Sequence, residues 1–455
     1  MTVKGRLLSV VAMICLIAEG RCAQQSILEG IWQNRQLQFY LEIDGEVYKR
    51  YQYTSLSCFA GGSGFLPAVG VIGDGRLDQR YSVSINEERL YLSRPQDNIQ
   101  AELTRVPRLP ASCRGYPVDT PLSNFHILWY TLQELYNFSH YSKSDFIHKI
   151  NQLLPQVTEI DLRLYPDSQS ESLAVFSVFS QLLTDMSDPH LFLLAPELQK
   201  SVYGDEARNR FADVYFNRPK TYQSLIRQAK LINPQVRTLA DGKILYSHAG
   251  HDLYIAFTDF AGYDKGNGFS DRSEQHLRQA IGELTRLIGP TTHVLLDLRA
   301  NSGGSVHYAN MASSLFTSAT EYHSFIRYPK HQKHPSLPLS GTYGSGTEPA
   351  SLTILTSRYT ASAAEYFILN VRGQALLVGE TTRGAFSPVI PKTLPNGWIL
   401  GVPAFSTVFA DGRLLPEKEG IAPQIRQAWG DTLQPLTVSQ WHGLRAGQTG
   451  PVTAN

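Results

Sequence analysis

The chain has 455 residues, 41 Lys+Arg against 40 Asp+Glu, a formal net charge of +1, 42% hydrophobic residues and 18% charged residues. That composition excludes a disordered chain, and at about 100–200 residues per domain the length suits two or three domains with real cores. The balanced charge argues against a nucleic-acid partner, because neutralising phosphates needs a basic excess.

Lys4 and Arg6 precede an apolar run from Leu7 to Ala18. A positive start followed by a short apolar core reads as a cleaved signal peptide, taken as residues 1–23. The run is shorter than the ~20 residues a bilayer span needs. The expectation is a secreted or periplasmic protein with no stable membrane span after signal removal. Cys58 and Cys113 lie beyond the signal and, in an oxidising compartment, predict a disulfide.

From Gly30 to about Leu103, within a domain taken as residues 24–115, apolar and polar positions alternate, aromatic and β-branched types are frequent, and glycine-rich breaks separate the runs. This predicts a small antiparallel β domain, closed by the Pro-rich linker RLPASCRGYPVDTP. From Ser123 to about Leu198, within a region taken as 120–235, the period becomes helical: Phe176, Phe179, Leu183 and Met186 share one face. A similar pattern runs from Asn124 to Phe138 and overlaps a glycosylation-type triplet, Asn137-Phe138-Ser139. Residues 236–430 read as α/β, with strands near 243–249 and 252–258, a helix over 270–288, and a doubly buried strand in THVLLDLR at 292–299. A helix (305–316), a strand (351–357), a helix (361–372) and a strand (374–380) follow. Asn396-Gly397 and Asp411-Gly412 signal hairpins. The Gly/Pro/Ser-rich region 329–350 has no apolar period and reads as a surface loop or a lid, and 431–455 reads as a C-terminal tail.

Two stretches carry chemistry. In TASAAE, a strand gives way to a helix at Ser362, where free N–H groups and the positive end of the helix dipole favour a developing negative charge. Ser362 suits a nucleophile with the Ala363 N–H as an oxyanion donor. The plainer alternative is a helix cap, with Ser362 or Thr360 as N-cap and Glu365 as its capping-box partner. In DLRANSGG, a buried strand runs into Gly303 and Gly304, whose backbone could supply the other oxyanion donor. Otherwise the glycines meet a backbone requirement and Asp297 and Arg299 form a structural ion pair. No CxxC or HExxH spacing occurs, and the reading requires no metal or cofactor.

In order, DLRANSGG (297–304), TASAAE (360–365), GETTRG (379–384) and GIAPQ (420–424) resemble the C-terminal processing (tail-specific) and tricorn-core-like serine peptidases, a family that includes interphotoreceptor retinoid-binding protein. The resemblance extends loosely to SDPHLFL at 187–193. It implies a crotonase/ClpP-like α/β catalytic core acting on peptide or protein substrates. The lysine base of the tail-specific branch is replaced by Ala385, with Lys392 seven residues further on. The tricorn-like branch uses a histidine and a glutamate, which fall here on His190 and Glu417, with Glu419 as rival. The resemblance thus implies a Ser362–His190–Glu417 arrangement; Asp188, two residues before the histidine, reads as a turn residue rather than a catalytic acid. Pro189 stands where the tricorn pattern has serine, and Gln424 where the closing motif usually has Asp. Retinoid-binding relatives use the scaffold for apolar ligands, so a non-catalytic binding protein is the rival reading.

Overall fold

The computed structural model describes residues 27–446 except 66–70, 75–78, 87, 95–98, 206–217, 265–269, 318–319, 328–336, 344–345 and 431. The expected signal peptide, with Cys15 and Cys22, lies outside these residues. The chain divides into two compact units, the first ending at Val118 and the second running from Asp119 onward.

The alternating runs of the first unit form strands β1 (Gly30–Asn34), β2 (Phe39–Asp44), β3 (Val47–Tyr53) and β4 (Cys58–Phe65). They continue as β5 (Val71–Asp74), β6 (Gln79–Asn86), β7 (Arg89–Arg94) and β8 (Ile99–Val106). These make one antiparallel sheet in the order β4-β3-β2-β1-β8-β7-β6-β5. Alternation puts Trp32, Leu41, Leu90 and Leu103 inside. Trp32 satisfies its indole N–H on the Leu28 carbonyl at 2.8 Å. A disulfide joins Cys58 at the start of β4 to Cys113.

The second unit opens with α1 (Pro121–Leu135), α2 (Lys143–Leu162) and α3 (Ser168–Met186). Thr120, Ser142 and Asp167 cap them, each accepting the N–H of the residue three positions on. The helical pattern predicted through Phe138 stops at Leu135. Tyr136 turns extended, and the Asn137 N–H leaves the helix for the Pro403 carbonyl at 3.0 Å. After α3 come β9 (Phe192–Ala195), β10 (Lys200–Tyr203), α4 (Arg218–Ile232), β11 (Arg237–Leu239), β12 (Ile244–Ala249) and β13 (Asp252–Phe257). They lead through α5 (Asp271–Thr285) to β14 (His293–Asp297), then α6 (Val306–Ser313), β15 (Thr320–Arg327) and β16 (Leu337–Tyr343). The chain closes with β17 (Ser351–Thr356), α7 (Ala363–Val371), β18 (Ala375–Gly379), β19 (Val389–Thr393), β20 (Ile399–Pro403), β21 (Ser406–Phe409), β22 (Ile425–Arg426) and α8 (Val438–Arg445).

The central sheet runs β11-β12-β13-β14-β17-β18-β22, parallel from β13 onward. Its middle strands are apolar on both faces, and Val294, Leu295, Leu296, Ile354 and Leu355 are buried. A second sheet, β10-β9-β20-β19, joins the 192–203 segment to the Asn396-Gly397 hairpin. No helix among the described residues is long and apolar enough to cross a membrane.

Two expectations need correction. Region 329–350 is not wholly irregular: β16 pairs with β15, and a Cβ at Gly341 would come within 2.2 Å of the Glu321 carbonyl oxygen. That ladder is invisible to an apolar-period reading because it depends on a partner strand rather than on alternation. The segment 431–455 is not merely a tail either. Trp441 and Leu444, one helical turn apart on α8, are buried against Leu225, Tyr254 and Trp429.

Candidate active site

Strands β14, β17 and β18 lie side by side and end on one edge of the sheet, where open parallel sheets place their ligand crevices. Each emits one of the sequence motifs. Beyond β14, Asp297 and Arg299 are fully buried and paired through two side-chain bonds, Nε to Oδ1 at 2.9 Å and Nη2 to Oδ2 at 2.6 Å. Arg299 also donates to the Gln434 carbonyl at 2.7 Å and stacks on Trp429, while Tyr254 donates to Asp297 at 3.0 Å. These two residues are therefore the structural ion pair.

The turn that follows is seated against the serine. Asn301 donates to the Phe257 carbonyl at 3.1 Å, and its own carbonyl accepts the Ala361 N–H at 3.1 Å. Gly303 (φ +108°) lies so close that an added Cβ would stand 2.7 Å from the Ser362 Cβ and 3.1 Å from the Ala363 nitrogen. Gly303→Ala is expected to cost about 2 kcal/mol of stability and to lower activity by roughly 100-fold, through strain and displacement of the serine. Thermal melts beside turnover measurements would check it; unchanged turnover would show that the contact is slack.

The glycine pair does not offer two equivalent donors. The Gly303 N–H is already donated to Asn301 Oδ1 at 2.9 Å. The bridge between Phe260 and Gly304 uses the Gly303 carbonyl and the Ser305 N–H, so it leaves the Gly304 N–H uncommitted to that bridge. Of the two expected donors, the Gly303 N–H is therefore engaged within the turn, whereas the Gly304 N–H is not used by the bridge.

Ser362 is partly exposed at the start of α7 and holds φ 56°, ψ −121°, a conformation that non-glycine residues rarely adopt. Several bonds hold it there. Ser357 Oγ donates to the Arg299 carbonyl at 2.6 Å, and Thr360 Oγ1 donates to the Leu298 carbonyl at 2.9 Å. The Ser362 N–H donates to Glu365 Oε2 at 2.9 Å. Ala363, the first helical residue, has an N–H with no intrahelical acceptor. Glu365 therefore caps the helix, and that cap does not use the Ala363 N–H.

Glu365 does more than cap. Its buried carboxylate also accepts Thr382 Oγ1 at 2.5 Å, the Gly384 N–H at 2.7 Å and the Ala385 N–H at 2.8 Å, which ties the turn after β18 to the serine turn. Burial pushes its pKa up against these donors. The Pro416–Gly420 loop is stitched to the same turn: the Lys418 N–H donates to the Gly384 carbonyl at 2.7 Å, and the Ile421 N–H to Thr382 Oγ1 at 2.7 Å.

That loop buries Glu417 and leaves Glu419 exposed. Glu417 Oε2 accepts the Phe386 N–H and Ser387 Oγ, both at 3.0 Å. Burial, then the like charge of Asp188, pushes its pKa well above the usual carboxylate value. Asp188 is the turn residue expected, its Oδ1 accepting the His190 N–H at 2.8 Å and the Leu191 N–H at 3.2 Å. Its Oδ2 accepts the Tyr136 hydroxyl at 2.7 Å, and burial raises its pKa as well. Lys418 Nζ reaches back to the Met186 carbonyl at 3.2 Å. His190, half-buried, is thus carried on a turn whose carboxylate interacts with Glu417.

The structure brings Ser362, Ala363, Gly303 and Gly304 together in one turn cluster and places Glu417 beside Asp188. Ala385, in the lysine position, gives only its N–H; Lys392 lies on β19, opposite Leu400. Gln424 accepts the Leu377 N–H at 2.7 Å and so serves the sheet. Sequence reasoning missed Tyr136, Asn137 and Ser387. Asn137 carried a signal only as a glycosylation-type triplet, yet its amide donates to Phe405 O at 2.8 Å and Ser387 Oγ at 3.2 Å. No group of three or more His, Cys, Asp or Glu that could hold a metal ion occurs among the described residues.

Residues 253–427 match the sequence profile of peptidase family S41. The span contains Gly303, Gly304, Ser362 and Glu417; Asp188 and His190 precede it. The structure is similar to that of a candidate peptidase from Parabacteroides merdae ATCC 43184, at 20% identity, 72% coverage of this chain, 97% of that one and a TM-score of 0.52. Similarity extends to the photosystem II D1 C-terminal processing protease (14% identity, 68% and 93% coverage, TM-score 0.36). It also extends to the tricorn protease (11% identity, 87% and 43% coverage, TM-score 0.40). No curated protein sequence matches this chain.

Proposed function

We propose that this chain, whose residues 253–427 match the profile of peptidase family S41, is an exported serine endopeptidase using Ser362, His190 and Glu417. Ser362 Oγ attacks the substrate carbonyl while His190 takes its proton, because a serine hydroxyl needs a base to become nucleophilic and neutral imidazole suits that task. The oxyanion is held by the N–H groups of Ala363 and Gly304. His190 returns the proton to the leaving amine, and water then hydrolyses the acyl-enzyme. Glu417 orients the imidazole and stabilises its charged form. The observation that carries the reading is Ser362 itself: a positive-φ serine at a helix start, pressed against Gly303 beside an uncommitted Ala363 N–H. The Cys58–Cys113 disulfide supports an oxidising destination.

A fluorophosphonate is expected to label Ser362, located by peptide mapping. No labelling of the folded protein, together with binding of apolar ligands, would favour the non-catalytic reading instead. The two glutamates should separate clearly. Glu417→Gln is expected to lower turnover on the order of 10⁴-fold, whereas Glu419→Gln, on the exposed side, leaves it nearly unchanged. Equal, mild effects would refute the assignment.

Glu417→Gln should also stabilise the protein by about 1–2 kcal/mol at neutral pH, since it removes a buried charge beside Asp188. The sign follows from the raised pKa. The native state binds the Glu417 proton more tightly than the unfolded chain does, so wild-type stability falls as pH rises through that window. The gain from Glu417→Gln should therefore vanish toward acid pH. Denaturation curves across pH would test it; a gain that persists at pH 4 would contradict it.

A further inference from the structure

Only one oxygen of Glu417 is held by hydrogen bonds. Oε2 accepts from the Phe386 N–H and from Ser387 Oγ, whereas Oε1 is buried with no hydrogen-bond partner among the described residues. Ser387 is buried, and its oxygen has a second contact, Asn137 Nδ2 at 3.2 Å. An amide NH₂ only donates, so Ser387 must accept there, and its single proton is left for Glu417. Asn137 cannot easily reverse this. Its Oδ1 already accepts the Ser139 N–H at 2.9 Å, its Nδ2 also donates to the Phe405 carbonyl at 2.8 Å, and its backbone N–H donates to the Pro403 carbonyl at 3.0 Å. The chain Asn137→Ser387→Glu417 therefore runs one way.

We propose that Asn137 and Ser387 are positioning residues for the hydrolytic reaction, pinning Oε2 of Glu417 so that Oε1 alone is presented to the His190 imidazole. The inference rests on the triad reading above and adds the device that sets the rotamer of its acid. Around Glu417 stand Asp188 on the turn after α3, Tyr136 at the end of α1, Glu365 and Tyr366 on α7, and Lys418 next to it in sequence. Asp188 and Glu365 oppose its ionisation, while the donors from Ser387 and Phe386 favour it.

The test uses the full chain and a fluorophosphonate probe, with the second-order labelling rate of Ser362 followed across pH. Ser387→Ala is expected to slow labelling about tenfold at neutral pH and to move the acid limb of the profile to higher pH, since a charge-assisted hydrogen bond is lost. Ser387→Thr, which keeps the hydroxyl, should restore both. Asn137→Ala should shift the limb in the same direction, and in the Ser387→Ala background it should add nothing. A folded Ser387→Ala protein with the wild-type pH profile, alongside a Glu417→Gln protein that no longer labels, would overturn the proposal and leave the triad standing. Wild-type labelling in Glu417→Gln would overturn both. Should Ser387→Ala fail to fold, Ser387→Cys, with a weaker donor of similar shape, is expected to show a smaller upward shift, and an unmoved profile there would overturn the proposal.

Discussion

Ser362→Ala and His190→Ala are each expected to reduce peptide hydrolysis by roughly 10⁵–10⁶-fold, and the double variant should lose no more than either alone. In the proposed mechanism the hydroxyl and the imidazole share one proton transfer, so removing either abolishes the same step. What survives should be catalysis by binding and by the Ala363 and Gly304 N–H groups. Single-turnover rates on an unstructured protein substrate, with circular dichroism to confirm folding, would measure this. The sharper arm is His190, which lies outside the span shared with the family profile. A folded His190→Ala protein that hydrolyses within about tenfold of wild type would remove the imidazole from the mechanism.

Arg299→Met is expected to destabilise the second unit by about 3–5 kcal/mol, lowering its melting temperature on the order of 10 °C. The guanidinium is fully buried with Asp297, donates to the Gln434 carbonyl and lies over Trp429. Methionine fills much of the volume but leaves a carboxylate in the core that, among the described residues, keeps Tyr254 Oη and the residue 299 backbone N–H as its donors. Asp297→Asn combined with Arg299→Met should recover part of the loss, because the stranded charge is then gone. A double variant as unstable as Arg299→Met alone would place the cost in the Gln434 and Trp429 contacts instead.

The parts of the fold visible in the sequence are those whose pattern is local. Val294 to Leu296 and Leu352 to Leu355 read as buried strands because both faces are covered, and the antiparallel first unit showed itself by alternation. Ser362 was legible from its place between a strand and a helix, and Gly303 from its pairing with Gly304. What stayed hidden depends on pairings across long separations. Strand β16 has no period of its own, and α8 becomes a core element because Trp441 and Leu444 join the cluster that holds Tyr254 and Leu225. Which of the Gly303 and Gly304 N–H groups is engaged within the turn depends on where a single Asn301 oxygen points. Asn137 and Ser387 are 250 positions apart, and neither has a spacing that announces the other.

The wide dispersal of the site along the chain also bears on when the molecule can become dangerous to its maker. If Ser362, His190 and Glu417 act as proposed, a growing polypeptide has the imidazole long before the hydroxyl exists, and the carboxylate follows only after both. The clasp formed by Thr382, Gly384, Lys418 and Ile421 draws on residues from both sides of that carboxylate. Shortened or interrupted products of synthesis should accordingly be inert, and competence should arrive in one step when the segment around Glu417 settles into place.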